Sequence, residues 1–191
     1  MHNCCIPYLK SNLSMRSRLF QLAFPVLLLP ACQASTEIPA YLLPGAAQEL
    51  VASSLKLSKC DPQKVSTDIS FCDVKEAKFG GAPASFKLTL LNGKLISTII
   101  TLPADEFSST VSNMTKRMGE SSYEREFEVY GVKHKSIYWG SKSVYITANR
   151  YAFGDTKHSM LILMLPEATP EIARPLFLKN DAKPSSNAAR Q

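Results

Sequence analysis

The chain has 191 residues, 45 % of them hydrophobic and 20 % charged, which excludes a wholly disordered protein and predicts a single folded domain with a real core. Its formal net charge of +6 would suit an acidic partner, but Lys10, Arg16 and Arg18 all lie before or beside the first apolar run; without them 19 basic residues face 16 acidic ones, a net +3. No nucleic-acid partner is therefore expected.

That apolar run, Leu19 to Leu29, has 11 residues and contains Pro25. A membrane-spanning helix needs about 20 residues, whereas a run of this length suits the core of a signal peptide. The preceding Met15-Arg16-Ser17-Arg18 supplies a methionine and two positive charges. Residues 1–14 then read as an upstream extension and 15–31 as the signal peptide; the alternative is a start at Met1 with a long charged region before the apolar run. The next residues, Leu29-Pro30-Ala31-Cys32, resemble the lipobox of bacterial lipoprotein precursors. Leu29 lies three before the cysteine and the small Ala31 directly before it, while Pro30 departs from the usual middle residue. The resemblance covers Met15 to Cys32 only. It implies that Cys32 receives a diacylglycerol and becomes the first residue of the mature protein, which its acyl chains then hold on a membrane. Gln33, which is not aspartate, implies in the sorting scheme of such lipoproteins an exported outer-membrane protein facing the periplasm. A cut by ordinary signal peptidase, for instance after Ala34, would instead leave a soluble periplasmic protein.

Cysteine arithmetic follows from this. Cys4 and Cys5 precede the mature chain and Cys32 carries lipid, so Cys60 and Cys72 remain as one pair. In an oxidising compartment they are expected to form a disulfide, contributing about 3 kcal/mol through loop entropy. The competing reading, two thiolate ligands, needs further ligands, and His134 and His158 are far along the chain; no metal and no cofactor are expected.

In chain order, residues 32–45, with Pro39 and Pro44, read as a tether. Ala47, Leu50, Val51, Ser54 and Leu55 share one helical face within Ala46 to Lys59, and Asp61-Pro62 ends that helix. Gly80, Gly81 and Pro83 mark Glu76 to Ala84 as a turn region. Ser85 to Leu102 reads as a hairpin about Asn92-Gly93, because a type I′ turn needs positive φ at both central residues. Phe107, Val111, Met114 and Met118 then recur at helical spacing. Pro103 suits the first helical position, Asp105 and Glu106 the first turn, Lys116 and Arg117 the last, and Gly119 the cap. Tyr123, Arg125, Phe127 and Val129 alternate with Glu124, Glu126 and Glu128, and Ser136 to Leu165 holds three β-rich runs broken near Gly140-Ser141 and Gly154-Asp155. Thr169 to Leu178 reads as a short helix interrupted at Pro175, and 179–191 as a disordered tail. The expected fold is α+β: one domain over 46–178, with an N-terminal helix, a β-hairpin, an α-helix and an antiparallel three- or four-stranded meander packed on that helix. The helix-then-meander half resembles, distantly, the small BamE-like outer-membrane lipoproteins of envelope assembly. The preceding hairpin departs from that pattern, so no binding residue carries over.

Sequence patterns for catalysis are weak. Ser53 to Lys56 fits S-x-x-K but stands without its companion elements, there is no G-x-S-x-G elbow, and neither histidine has a triad context. Gly80 and Gly81 lack the helix start and lysine of a phosphate loop. Glu124, Glu126 and Glu128 could bind a cation or a basic partner; alternatively, a reversal at Tyr130-Gly131 places Glu128 opposite Lys133 and Glu126 opposite Lys135. Tyr138, Trp139, Tyr145 and Tyr151 are the candidate partner-binding residues. Adjacent Tyr138 and Trp139 must point to opposite sheet faces, so one can serve an exposed face unless another element covers it. The function expected is non-catalytic: a lipid-anchored envelope protein binding a protein partner in assembly or as an adaptor. An immunity or inhibitor lipoprotein against a periplasm-active hydrolase and a small envelope enzyme are the alternatives.

Overall fold

Three two-residue turns shape the sheet, each with positive φ at both residues: Gly80-Gly81 (59° and 92°), Asn92-Gly93 (50° and 72°) and Tyr130-Gly131 (50° and 76°). Their twist matches that of antiparallel strands, which is why long hairpins grow from them. The protein is described from a computed structural model over residues 37–56, 62–152 and 154–178; the expected signal peptide, Cys32, Cys60 and the tail lie outside the described residues. Eight strands, β1 (Gln63–Lys64), β2 (Ile69–Phe79), β3 (Ala82–Leu91), β4 (Lys94–Pro103), β5 (Tyr123–Val129), β6 (Val132–Gly140), β7 (Tyr145–Asn149) and β8 (His158–Met164), join two helices, α1 (Gln48–Leu55) and α2 (Phe107–Met118). All strand pairs are antiparallel, in the order β1-β2-β3-β4-β8-β7-β6-β5. The class is α+β.

The expected hairpin and meander are thus halves of one sheet. Two four-stranded meanders meet at β4 and β8, where Ile100 faces Leu161 and Thr98 faces Leu163. The region expected to be a turn, Glu76 to Ala84, is mostly strand; only Gly80 and Gly81 turn. A bulge between Val74 and Ala77 breaks the alternation there, which hides β2 from a period-two reading.

One row of facing residues shows how the core is built: Cys72, Leu88, Thr98, Leu163, Ile146 and Trp139 lie across six strands, none more than 1 % exposed. Val51 and Leu55 of α1 and Met114 of α2 are buried in the same core cluster. Gly119, at φ 81°, ends α2 and donates its N–H to the Thr115 carbonyl at 2.9 Å. Cys72 is disulfide-bonded.

The stretch expected to be tether differs from that expectation. Ile38 and Leu42 are buried in the core, the Thr98 hydroxyl donates to the Leu42 carbonyl at 2.9 Å, and the Gly45 N–H donates to the Leu95 carbonyl at 2.7 Å. Folded structure therefore begins before residue 46. Ile38 and Leu42 are one helical turn apart, but Pro39 and Pro44 obscure the period.

Candidate binding site

The sheet face away from α1 and α2 is only partly covered. Register sends Tyr145, Thr147 and Asn149 of β7 to this face, opposite Gly140, Tyr138 and Ser136 of β6. At the Gly140 end, the chain after β8 forms a strap of two 3-10 segments, Pro166–Ala168 and Glu171–Phe177. Phe177 stacks on Tyr145 with ring centroids 4.5 Å apart and meets Tyr138 edge-on at 5.4 Å. The Ser122 hydroxyl donates to the Leu176 carbonyl at 2.8 Å.

This settles where the four aromatic candidates stand. Tyr138 and Trp139 do point to opposite faces, but Trp139 is 1 % exposed in the core, and among the described residues its indole Nε1 is the buried side-chain polar atom with no hydrogen-bond partner. Tyr145 lies buried beneath Phe177 and Tyr138 is half-buried beside it. Neither Trp139 nor Tyr145 is accessible as a partner anchor: a core position holds the first and the strap covers the second. Of the four, Tyr151 lines an open cavity among the described residues.

That cavity, about 450 Å³, lies at the other end of the same face, within the range usual for small-molecule pockets. The β5-β6 hairpin gives it Phe127, Val129, Tyr130 and Val132; the floor holds Ser136 and Asn149; the loop after β7 closes it with Tyr151, Ala152 and Asp155. A row of rings lines it. His134 stacks on Phe127 at 5.3 Å and meets Tyr151 edge-on at 5.5 Å. Each outer ring carries a guanidinium, Arg125 over Phe127 at 5.2 Å and Arg150 over Tyr151 at 5.5 Å, a favourable cation–π arrangement. On the floor the Ser136 hydroxyl donates to Asn149 Oδ1 at 2.6 Å. Tyr130, at the hairpin tip, is fully exposed although its φ of 50° suits asparagine or glycine far better than a bulky side chain.

The acidic stripe has the register the sequence predicts, Glu128 opposite Lys133 and Glu126 opposite Lys135. Lys135 pairs chiefly with Glu124, at 2.9 Å, and more loosely with Glu126, at 3.9 Å. The Lys135 hydrogen bond holds the Glu124 carboxyl below its ordinary value against the opposing effect of burial, with a lesser contribution from the Ser121 hydroxyl. His158 lines a second, more open cavity that shares Asp155 with this one, and its Nδ1 lies 2.6 Å from Asp155 Oδ2. A carboxylate only accepts, so the ring presents its Nδ1 proton to it. That bond, with the Lys157 N–H, holds the Asp155 carboxyl low. Among the described residues no serine or threonine hydroxyl is hydrogen-bonded to either histidine, and no group of three His, Cys, Asp or Glu side chains is placed to hold a metal ion. No described helix is long and apolar enough to cross a membrane.

The sequence reading missed Phe127, Tyr130 and Asn149 as cavity residues. Its one available signal was a tyrosine where a tight turn wants asparagine, aspartate or glycine. No known protein family, characterised protein sequence or solved structure matches this chain.

Proposed function

We propose that the protein is a lipid-anchored binding protein of the bacterial envelope, attached through Cys32 in the outer membrane and facing the periplasm, and that the cavity beside Tyr151 is where it binds. The single observation that carries the binding reading is a 450 Å³ cavity walled by aromatic and aliphatic side chains with a few polar groups on its floor, the usual composition of a ligand site. Binding suits those polar groups better than catalysis. The Ser136 proton is committed to an amide oxygen, so no base activates it, and His134 is held between two rings.

The test replaces Tyr130 with a photoreactive phenylalanine in cells, with a control at exposed Val65 beside β1. Adducts at position 130 alone, abolished by a cavity-filling Ala152→Arg, are expected. Equal adducts at both positions would overturn the reading. The fully exposed Tyr130 at a hairpin tip also favours a second reading, an inhibitor that inserts this tip into a hydrolase cleft. A stoichiometric hydrolase adduct that survives Ala152→Arg would select it.

A further inference from the structure

The proposed binding site leaves its ligand open, and its charge and backbone narrow the choice. Along the floor, the β6-β7 ladder runs from Ser136-Asn149 to Gly140-Tyr145, so the backbone groups there are engaged in the sheet. An extended peptide lying on this face would find few free main-chain partners, whereas an alkyl chain needs none. The walls, Phe127, Val129, Val132 and Tyr151, are apolar or aromatic. The volume falls toward the lower end of ligand pockets, which range over roughly 300 to 1,000 Å³; it fits one chain better than a two-chain lipid.

Lys135 and Asp155 are the charged side chains of opposite sign in the cavity lining. Arg125 and Arg150 lie outside that lining, each on an outer ring of the row. Arg150 also lines a separate cavity with Phe107 and Val111 of α2, which leaves Arg125 beside Phe127, and among the described residues neither is ion-paired. The acid at the cavity, Asp155, lies at the Tyr151 end and is engaged by His158. The glutamates of β5 alternate with Arg125 and so project from the opposite face, where Glu124 and Glu126 hold Lys135. Arg125 is thus the guanidinium at the end of the ring row away from Asp155, and its planar fork suits a carboxylate.

We propose that the cavity takes the alkyl chain of a fatty acid, with the carboxylate held at Arg125. The assignment rests on reading the cavity as the binding site. It predicts selection by head charge: the chain alone binds by burial in the aromatic trough, and the carboxylate adds one charge-assisted contact with the guanidinium over Phe127.

The experiment uses the full chain in phosphatidylcholine nanodiscs with two photoreactive probes of equal length, a diazirine palmitic acid and the matching hexadecanol. Labelled residues are mapped by mass spectrometry, and partition into the lipid is common to parent and variant. The acid is expected to label residues 127–136 and 149–156 about tenfold more than the alcohol, and Arg125→Gln to erase that preference. Circular dichroism checks that the exposed substitution leaves the fold intact. Unlabelled palmitate should compete. Equal labelling by acid and alcohol in the parent overturns the anionic head. Displacement by a peptide with an apolar C-terminal residue, but not by palmitate, overturns the fatty acid in favour of a peptide site. No labelling of the cavity while the position-130 adduct persists overturns the ligand class and leaves the binding reading standing; loss of both removes the two together.

Discussion

Replacing Gly140 with alanine tests the strap directly. A Cβ built on Gly140 would overlap the Phe177 carbonyl oxygen and lie 2.8 Å from its carbonyl carbon and 2.9 Å from its Cβ. The obstruction is backbone, so no side-chain rotation relieves it. If the strap stays, the overpacking costs about 1 to 3 kcal/mol. If it lifts, the protein loses the burial of Phe177, about 2 kcal/mol, the ring stacking on Tyr145, about 1 kcal/mol, and the Ser122 bond to Leu176, about 1 kcal/mol. The cheaper route governs, so the loss should be about 1 to 3 kcal/mol, or roughly 3 to 10 °C in Tm for a domain of this size. Differential scanning calorimetry measures the loss. Limited chymotrypsin digestion distinguishes the routes, because a lifted strap exposes Phe177, now buried against Tyr145. A Tm within about 1 °C of the parent, with cleavage at Phe177 unchanged, would refute the packing argument.

Four further outcomes are expected. Thr98→Val strands the buried Leu42 carbonyl, now an acceptor at 2.9 Å, and should cost about 1 to 2 kcal/mol in chemical denaturation. Tyr130→Asn relieves a left-handed tyrosine that is fully exposed; stability should rise by about 0.5 to 1 kcal/mol, read from the same denaturation curves, while cavity labelling falls. Glu124 is held low by Lys135, so its contribution is present above the ordinary carboxylate pKa and fades as pH falls through the lowered one; Lys135→Met should move its NMR titration midpoint upward. Cys32→Ser should release the protein from the membrane fraction or leave it unprocessed, as cell fractionation would show, and unchanged fractionation would defeat the lipid anchor.

Local chemistry was legible in the sequence. Asn92-Gly93 announces its turn, Gly119 caps the end of α2, and the Glu and Lys spacing about Tyr130-Gly131 sets a register found residue for residue. At the other end of α2 the expected start is displaced, for Pro103 closes β4 and Asp105 and Glu106 lie in a 3-10 turn before Phe107. What was hidden depends on distance or interruption. The bulge after Val74 masks β2, Pro39 and Pro44 mask the inward pair Ile38 and Leu42, and Pro175 masks the strap that covers Tyr145. The cavity could not be read at all, because it joins a hairpin to a loop about twenty residues onward through shape and no motif.

The seam between the two halves also governs the order of assembly. As the chain emerges N-terminus first, β1 to β4 can pair locally, but the outer edge of β4 has no partner until β8, the last strand, arrives. The Ser159 hydroxyl reaches the Pro103 carbonyl 56 residues back. Until then an apolar strand containing Ile99 and Ile100 offers an open edge for pairing with other chains. Non-local closure of this kind is slow. The growing chain must therefore be kept apart from its neighbours until its last strand is delivered, and truncation before residue 158 should yield an aggregating first half instead of a smaller stable domain.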